Sequence, residues 1–188
     1  MVGVVAPMLR RSPEEAHNFM FGYLAGYLAG GSLLVMIAYG VGRLLEATVP
    51  HLARIIAWAA VLVVLGVLDI VNRTPHAMRQ VPQRHARNVS PGWRGVVWSF
   101  DLALLFTTRK TTSLVWAALA TLVLLDPGGA LWFLAVMVIV SVGQLVIGTY
   151  LDHLMTVHNI GGELLFIRLS RVVSGGVMVC LAVALTLW

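Results

Sequence analysis

The stretch that most constrains this chain runs from Arg94 to Asp126, RGVVWSFDLALLFTTRKTTSLVWAALATLVLLD. It is apolar at both ends and breaks at Thr107-Thr108-Arg109-Lys110-Thr111-Thr112-Ser113. As one straight helix it would reach about 50 Å at 1.5 Å per residue. The hydrocarbon layer of a bilayer is only about 30 Å thick. Each apolar arm alone, Gly95 to Phe106 and Leu114 to Leu125, covers roughly 18 Å as helix, which is too short to cross. The pattern reads as a single crossing interrupted near its centre, with two adjacent cations and five hydroxyls where lipid tolerates neither.

Composition supports a membrane reading for the whole chain. Hydrophobic residues make up 59% of the 188 positions and charged residues 11%, which excludes an ordinary soluble domain. The net charge of +5 is a topology signal rather than a nucleic-acid footprint. Arg73, Arg79, Arg84, Arg87 and Arg94 fall around one loop. Nucleic-acid binding would call for aromatics among those cations, and only Trp93 is at hand. The lone Cys180 lies in an apolar run, so no internal disulfide or dithiol pair forms. Residues 1–9 are apolar but precede their charges, the reverse of a secretory signal.

In order, Ser12-Pro13-Glu14-Glu15 reads as a helix start, with Ser as N-cap and Pro at the first position. The expected fold is an all-α polytopic membrane bundle of about five spans. They are placed at about 19–44, 52–71, 94–126 (broken at 107–113), 130–151 and 164–188. Gly22, Gly26 and Gly30 lie four apart on the first span, a doubled small-xxx-small pattern for close helix packing. Tyr23 and Tyr27 occupy a neighbouring face, either interfacial or lining a cavity. Pro50 ends the first helix. Asp69 reads as a terminal residue near headgroups, with Arg73 as partner. The Pro- and Arg-rich segment 72–93 reads as a cytoplasmic loop beside anionic lipid. Its Asn88-Val89-Ser90 sequon would then lie on the wrong side for glycosylation. Asp126-Pro127-Gly128-Gly129 reads as a turn. Arg168 and Arg171, in the first turns of the last span, read as snorkelling to the interface.

The basic residues predict a cell inner (plasma) membrane protein with a cytoplasmic N-terminus and its C-terminus outside. A full turn at 107–113 would instead bring the C-terminus inside. Two spans echo each other: Leu52-Ala-Arg54-Ile-Ile-Ala-Trp-Ala-Ala-Val and Leu169-Ser-Arg171-Val-Val-Ser-Gly-Gly-Val-Met. In this topology the copies point oppositely, which suggests an inverted repeat, and such repeats with broken helices build many secondary transporters.

The order of the stretches FMFGYLAGYLAGG, LLFTTRKTTSLVWAAL and VSVGQLVIG resembles the membrane domain of the cytochrome-c-biogenesis CcdA/DsbD family, within the LysE-type transporter superfamily. The resemblance covers about residues 18–150. It implies six helices as two inverted halves, of which this chain would lack the first, with Val5-Ala6-Pro7 as its candidate remnant. The family's relay cysteines are replaced by the Thr-Thr-Arg-Lys-Thr-Thr-Ser segment, and Cys180 matches neither position, which removes thiol relay.

The candidate binding residues are Arg109, Lys110, Thr107, Thr108, Thr111, Thr112 and Asp101. Cations within a membrane cost at least ~2.5–3.5 kcal/mol each, so they tend to face a cavity or a partner. One reading is an anion or carboxylate site, with Arg109 as fork donor and Lys110 as point charge. The other is structural pairing, with Asp101 as the nearest acid and Glu46 and Asp69 as alternatives. His153 and His158 are weak metal candidates, five residues apart and without a ligand cluster. No GxSxG or carboxylate dyad is present, so the chain reads as non-enzymatic and without a cofactor. Two functions remain open: a small transporter-like protein with its site at 107–113, or a non-catalytic subunit or assembly factor of a larger membrane complex. The expected partners are the lipid bilayer, other membrane subunits, or a second copy through the Gly22/Gly26/Gly30 face.

Overall fold

A computed structural model describes residues 2–75, 89–105, 112–154 and 160–186. The described residues are mostly helical, with no strand among them. Helix α1 (Val2–Arg11) precedes α2 (Pro13–Thr48) and α3 (His51–Ile70). The short helices α4 (Pro91–Ala103) and α5 (Leu114–Leu124) follow. A 3-10 turn, Pro127–Gly129, then leads into α6 (Ala130–Leu154), and α7 (Ile160–Thr186) ends the chain. Three stretches among the described residues are long and apolar enough to cross a membrane: Pro13–Thr48, His51–Ile70 and Pro127–Thr149. Large side chains such as Phe21, Met36, Leu131, Trp132 and Ile139 are exposed along them, as in a chain whose solvent is lipid. This is an all-α membrane protein.

The local signals explain most boundaries. Pro13 opens α2 as expected, with Ser12 accepting the first backbone bond, from Ala16 at 3.1 Å. Pro50 separates α2 from α3. The Asp126 carbonyl closes its turn by accepting from Gly129 N–H at 3.2 Å. Helix α1 is an addition to the sequence reading, with Pro7 inside it and Val5 fully buried. Helix α4 begins at Pro91, within the segment expected to be loop, because Pro at the first position lacks only an N–H that would be unpaired anyway.

The chain divides into two compact units. The first comprises residues 1–35, 78–108 and 134–158. Its seam is the parallel contact of α2 with α4. A Cβ on Gly22, Gly26 or Gly30 would run into the backbone of Gly92, Val96 or Phe100 respectively, and one on Gly95 into that of Phe19. Small residues allow this approach where lipid removes the usual hydrophobic drive. Phe19 meets Trp98 edge-on at 6.0 Å. The face formed by Gly22, Gly26 and Gly30 is thus covered within the chain.

The second unit comprises residues 36–77, 109–133 and 159–188. Helix α3 runs antiparallel to both α5 and α7. Arg54 at its start bonds the Leu124 carbonyl at the end of α5, and Asp69 at its end bonds Ser113 at the start. Gly66 and Gly175 provide the close approach of α3 to α7. Trp58, Leu62, Leu65, Ala117, Met178 and Ala182 form the core. Trp58 Nε1 donates to Thr121 Oγ1 at 2.9 Å, tying α3 to α5. Gly42 of α2 lies against Pro127, so the 49–50 link and the 126–129 turn share one end of this unit, and residues 71–75 lie at the other.

Two outcomes follow from this packing. Gly26→Val should lower stability by about 1–3 kcal/mol through overpacking, read as a fall in the detergent melting temperature. Gly40→Ala, whose added Cβ meets nothing within 4 Å, should leave it unchanged. In a chain with Cys180 replaced, cysteines at Thr48 and Asp126 should label from one side of sealed vesicles and a cysteine at Arg73 from the other. Labelling of all three from one side would overturn the arrangement.

Candidate functional site

The polar centre of the second unit is built where α3 stops. Asn72 adopts a left-handed backbone, φ 62°, a conformation that Asn tolerates better than most residues. Its N–H then reaches the Asp69 carbonyl at 3.0 Å, and the N–H of Arg73 reaches the Leu68 carbonyl at 2.7 Å. These two bonds satisfy the last carbonyls of α3 and turn the chain sharply. The turn folds Thr74 back over Asp69, to which its hydroxyl donates at 2.8 Å.

Asp69 is 0% exposed. Its carboxylate receives the Ser113 backbone N–H at 2.7 Å and the Ser113 hydroxyl at 2.7 Å. The Ser174 hydroxyl of α7 adds a contact at 3.1 Å. With Thr74, four hydrogen bonds converge on its two oxygens. Ser113 precedes the first turn of α5 but makes no side-chain bond to that turn. It turns its hydroxyl to Asp69 instead. The carboxylate therefore sits at the positive end of α5, where helix dipoles favour an anion. Burying a carboxylate is costly unless it is fully bonded, and here the bonds come from the turn after α3, the start of α5 and the middle of α7.

This corrects the sequence reading of Asp69. It does not pair with Arg73, which is exposed; its oxygens are taken by Thr74, Ser113 and Ser174. The arginines of α7 also differ from expectation. Helix α7 begins at Ile160, so Arg168 and Arg171 lie beyond its first turns. Arg168 is exposed, whereas Arg171 is only 8% exposed and donates to the Asn72 side-chain oxygen. Arg54, at 6% exposed, donates to the Leu124 carbonyl at 3.2 Å.

The other expected site residues divide by position. Thr107, Thr108, Arg109, Lys110 and Thr111 lie outside the described residues, as does His158, and the side chain of His153 is likewise outside them. Thr112 is half-buried in a bend beside Ser113. Asp101 is half-buried on α4 in the first unit. Glu46 pairs with Arg43 at the surface rather than with a buried cation. Helix α4 ends at Ala103 and Leu105 takes φ 65°, a strained conformation for a branched side chain. Tyr23 and Tyr27, buried and stacked at 6.0 Å, place the Tyr23 hydroxyl 2.8 Å from Ser141 Oγ in the first unit. Among the described residues no group of His, Cys, Asp and Glu is arranged to hold a metal.

The chain matches no protein-family model, no curated protein and no solved structure. Its chemistry is therefore argued from these side chains alone. Asp69 fixes the start of α5 by accepting the Ser113 N–H and hydroxyl.

The network has a measurable signature. Ser113→Ala and Ser174→Ala should each cost about 0.6–1.7 kcal/mol, the range for interhelical hydrogen bonds in a membrane. In a background of Asp69→Ala most of that cost should vanish, in a double-mutant cycle read by detergent thermal melts. Full additivity would mean the hydroxyls act independently of the carboxylate.

Proposed function

We propose that this chain is a small transporter-like membrane protein whose polar site lies at the interrupted third span. The observation supporting this reading is Asp69, a buried carboxylate bonded to the N-terminal end of the half-helix α5. Discontinuous helices whose ends hold charge are a recurring way to build ion and substrate sites within membranes. Arg109 and Lys110 would contribute the cations of the site, Thr107, Thr108, Thr111 and Thr112 its hydroxyls, and Asp101 a balancing charge. The resemblance of residues 18–150 to the CcdA/DsbD membrane domain agrees with a broken span, without that family's thiol chemistry. The proposed topology keeps the N-terminus in the cytoplasm and the C-terminus outside, in an inner (plasma) membrane.

A second reading, as a non-catalytic subunit or assembly factor, is favoured by Gln144. Its amide is exposed on α6, among the exposed apolar residues Val136, Val140 and Ile147. An amide facing lipid gains a hydrogen bond by meeting another helix.

Reconstitution separates the two. Proteoliposomes of the full chain should pass small organic ions, and Arg109→Ala or Asp69→Asn should lower the flux at least tenfold while the variants still elute as folded protein. Flux unchanged in both variants, or no flux from wild type together with stoichiometric recovery of partner chains, would leave the subunit reading in possession.

A further inference from the structure

A cleft of about 240 Å³ opens between the end of α3 and α7, lined by Asp69, Ile70, Val71, Asn72, Arg168, Arg171 and Val172. It has room for several water molecules or a phosphate group. Its two ends differ in chemistry. One carries the Arg168 and Arg171 guanidinium groups, three residues apart on α7 and so on one face. Arg171 is buried and oriented by its bond to Asn72, while Arg168 is exposed. Asp69 gives its oxygens to Thr74, Ser113 and Ser174, and two cations against one carboxylate leave the cleft positive. The last carbonyls of α3 are closed by the Asn72 turn, so they offer an arriving anion less repulsion than an open helix end.

The other end is apolar and outward-facing. Ile70, Val71 and Val172 are exposed, and the exposed surface continues through Val67, Leu169 and Val173. The 20 residues of α3 measure about 30 Å, the thickness of the hydrocarbon layer. Its end is followed by the exposed Asn72 and Arg73. The cleft therefore lies where hydrocarbon gives way to headgroups, with cations above and lipid-facing aliphatic side chains below.

We propose that this cleft binds the phosphate of an anionic phospholipid. Arg168 and Arg171 hold the phosphate oxygens, Arg171 as a pre-oriented fork, and the acyl chains lie over Ile70, Val71 and Val172. Through Asn72 and Asp69 the bound lipid would bear on the start of α5. This assignment does not depend on transport, because it concerns lipid retention and not flux.

The test is native mass spectrometry of the detergent-purified full chain titrated with phosphatidylglycerol or with phosphatidylcholine of matched chains. Wild type should retain phosphatidylglycerol in clear preference. Arg168→Gln, at an exposed position that folding does not need, should lower that retention about fivefold. Arg171→Lys, which keeps charge but loses the fork, should lower it as well, and Arg43→Gln at the other end of the unit should not. Equal retention of the two lipids, or equal losses in Arg168→Gln and Arg43→Gln, would overturn the proposal. Displacement of the lipid by millimolar inorganic phosphate would also overturn it and assign the cleft to a free anion.

Discussion

A carboxylate without water must find all of its partners within the protein, and Asp69 is where that requirement organises the second unit. Its donors come from the turn after α3, from the start of α5 and from the middle of α7. No single helix could supply them. The same bonds serve the opposite need as well. A helix that starts in the middle of an apolar sequence leaves N–H groups without partners, and Asp69 accepts one from Ser113. Charge and interruption thus solve each other's problem, which is why a strand of polar residues can persist in so apolar a chain.

The two units hold their helices together by different means. In the first, three glycines on α2 and one on α4 bring backbones into contact, and the gain comes from many short van der Waals contacts. In the second, the α3–α7 pair has one such contact, at Gly66 and Gly175, and polar side chains do more of the work. Trp58 and Thr121 link α3 to α5 near one end, and the Asp69 network links three helices at the other. Interhelical hydrogen bonds in membranes average only about 0.6 kcal/mol. Their value here is in fixing register: a slide of α5 along α3 by one turn would break the bonds at Arg54, Trp58 and Asp69 together.

Periodicity and punctuation carried most of the fold. Pro13, Pro50 and the Asp-Pro-Gly-Gly turn mark boundaries that local geometry decides, and the spacing of Gly22, Gly26 and Gly30 revealed a packed face. The partner of that face was not legible, because α4 meets it from seventy residues away. Asp69 was misread for a related reason. An acid near the end of an apolar run has the same local pattern whether it reaches headgroups or turns inward. What decides between them is Ser113 and Ser174, each unremarkable in its own segment. Asn72, immediately after the last apolar turn, was a readable stop signal and the one local hint that the chain folds back over Asp69.

The echo of Leu52-Ala-Arg54 and Leu169-Ser-Arg171 has a physical basis in the structure, whatever its origin. Each arginine is buried and each donates to the C-terminal end of a neighbouring helix. Arg54 bonds the Leu124 carbonyl that ends α5, and Arg171 bonds Asn72, the residue that closes α3. Helix C-termini carry partial negative charge, so a cation there is stabilised even away from water. Because α3 and α7 are antiparallel, the two arginines fall at opposite ends of the unit, one beside the Pro127 turn and one beside Asp69. The following β-branched and small residues then fit the crossing at Gly66 and Gly175. A shared task at two helix ends is enough to select the same short pattern twice, and it explains why both cations are buried.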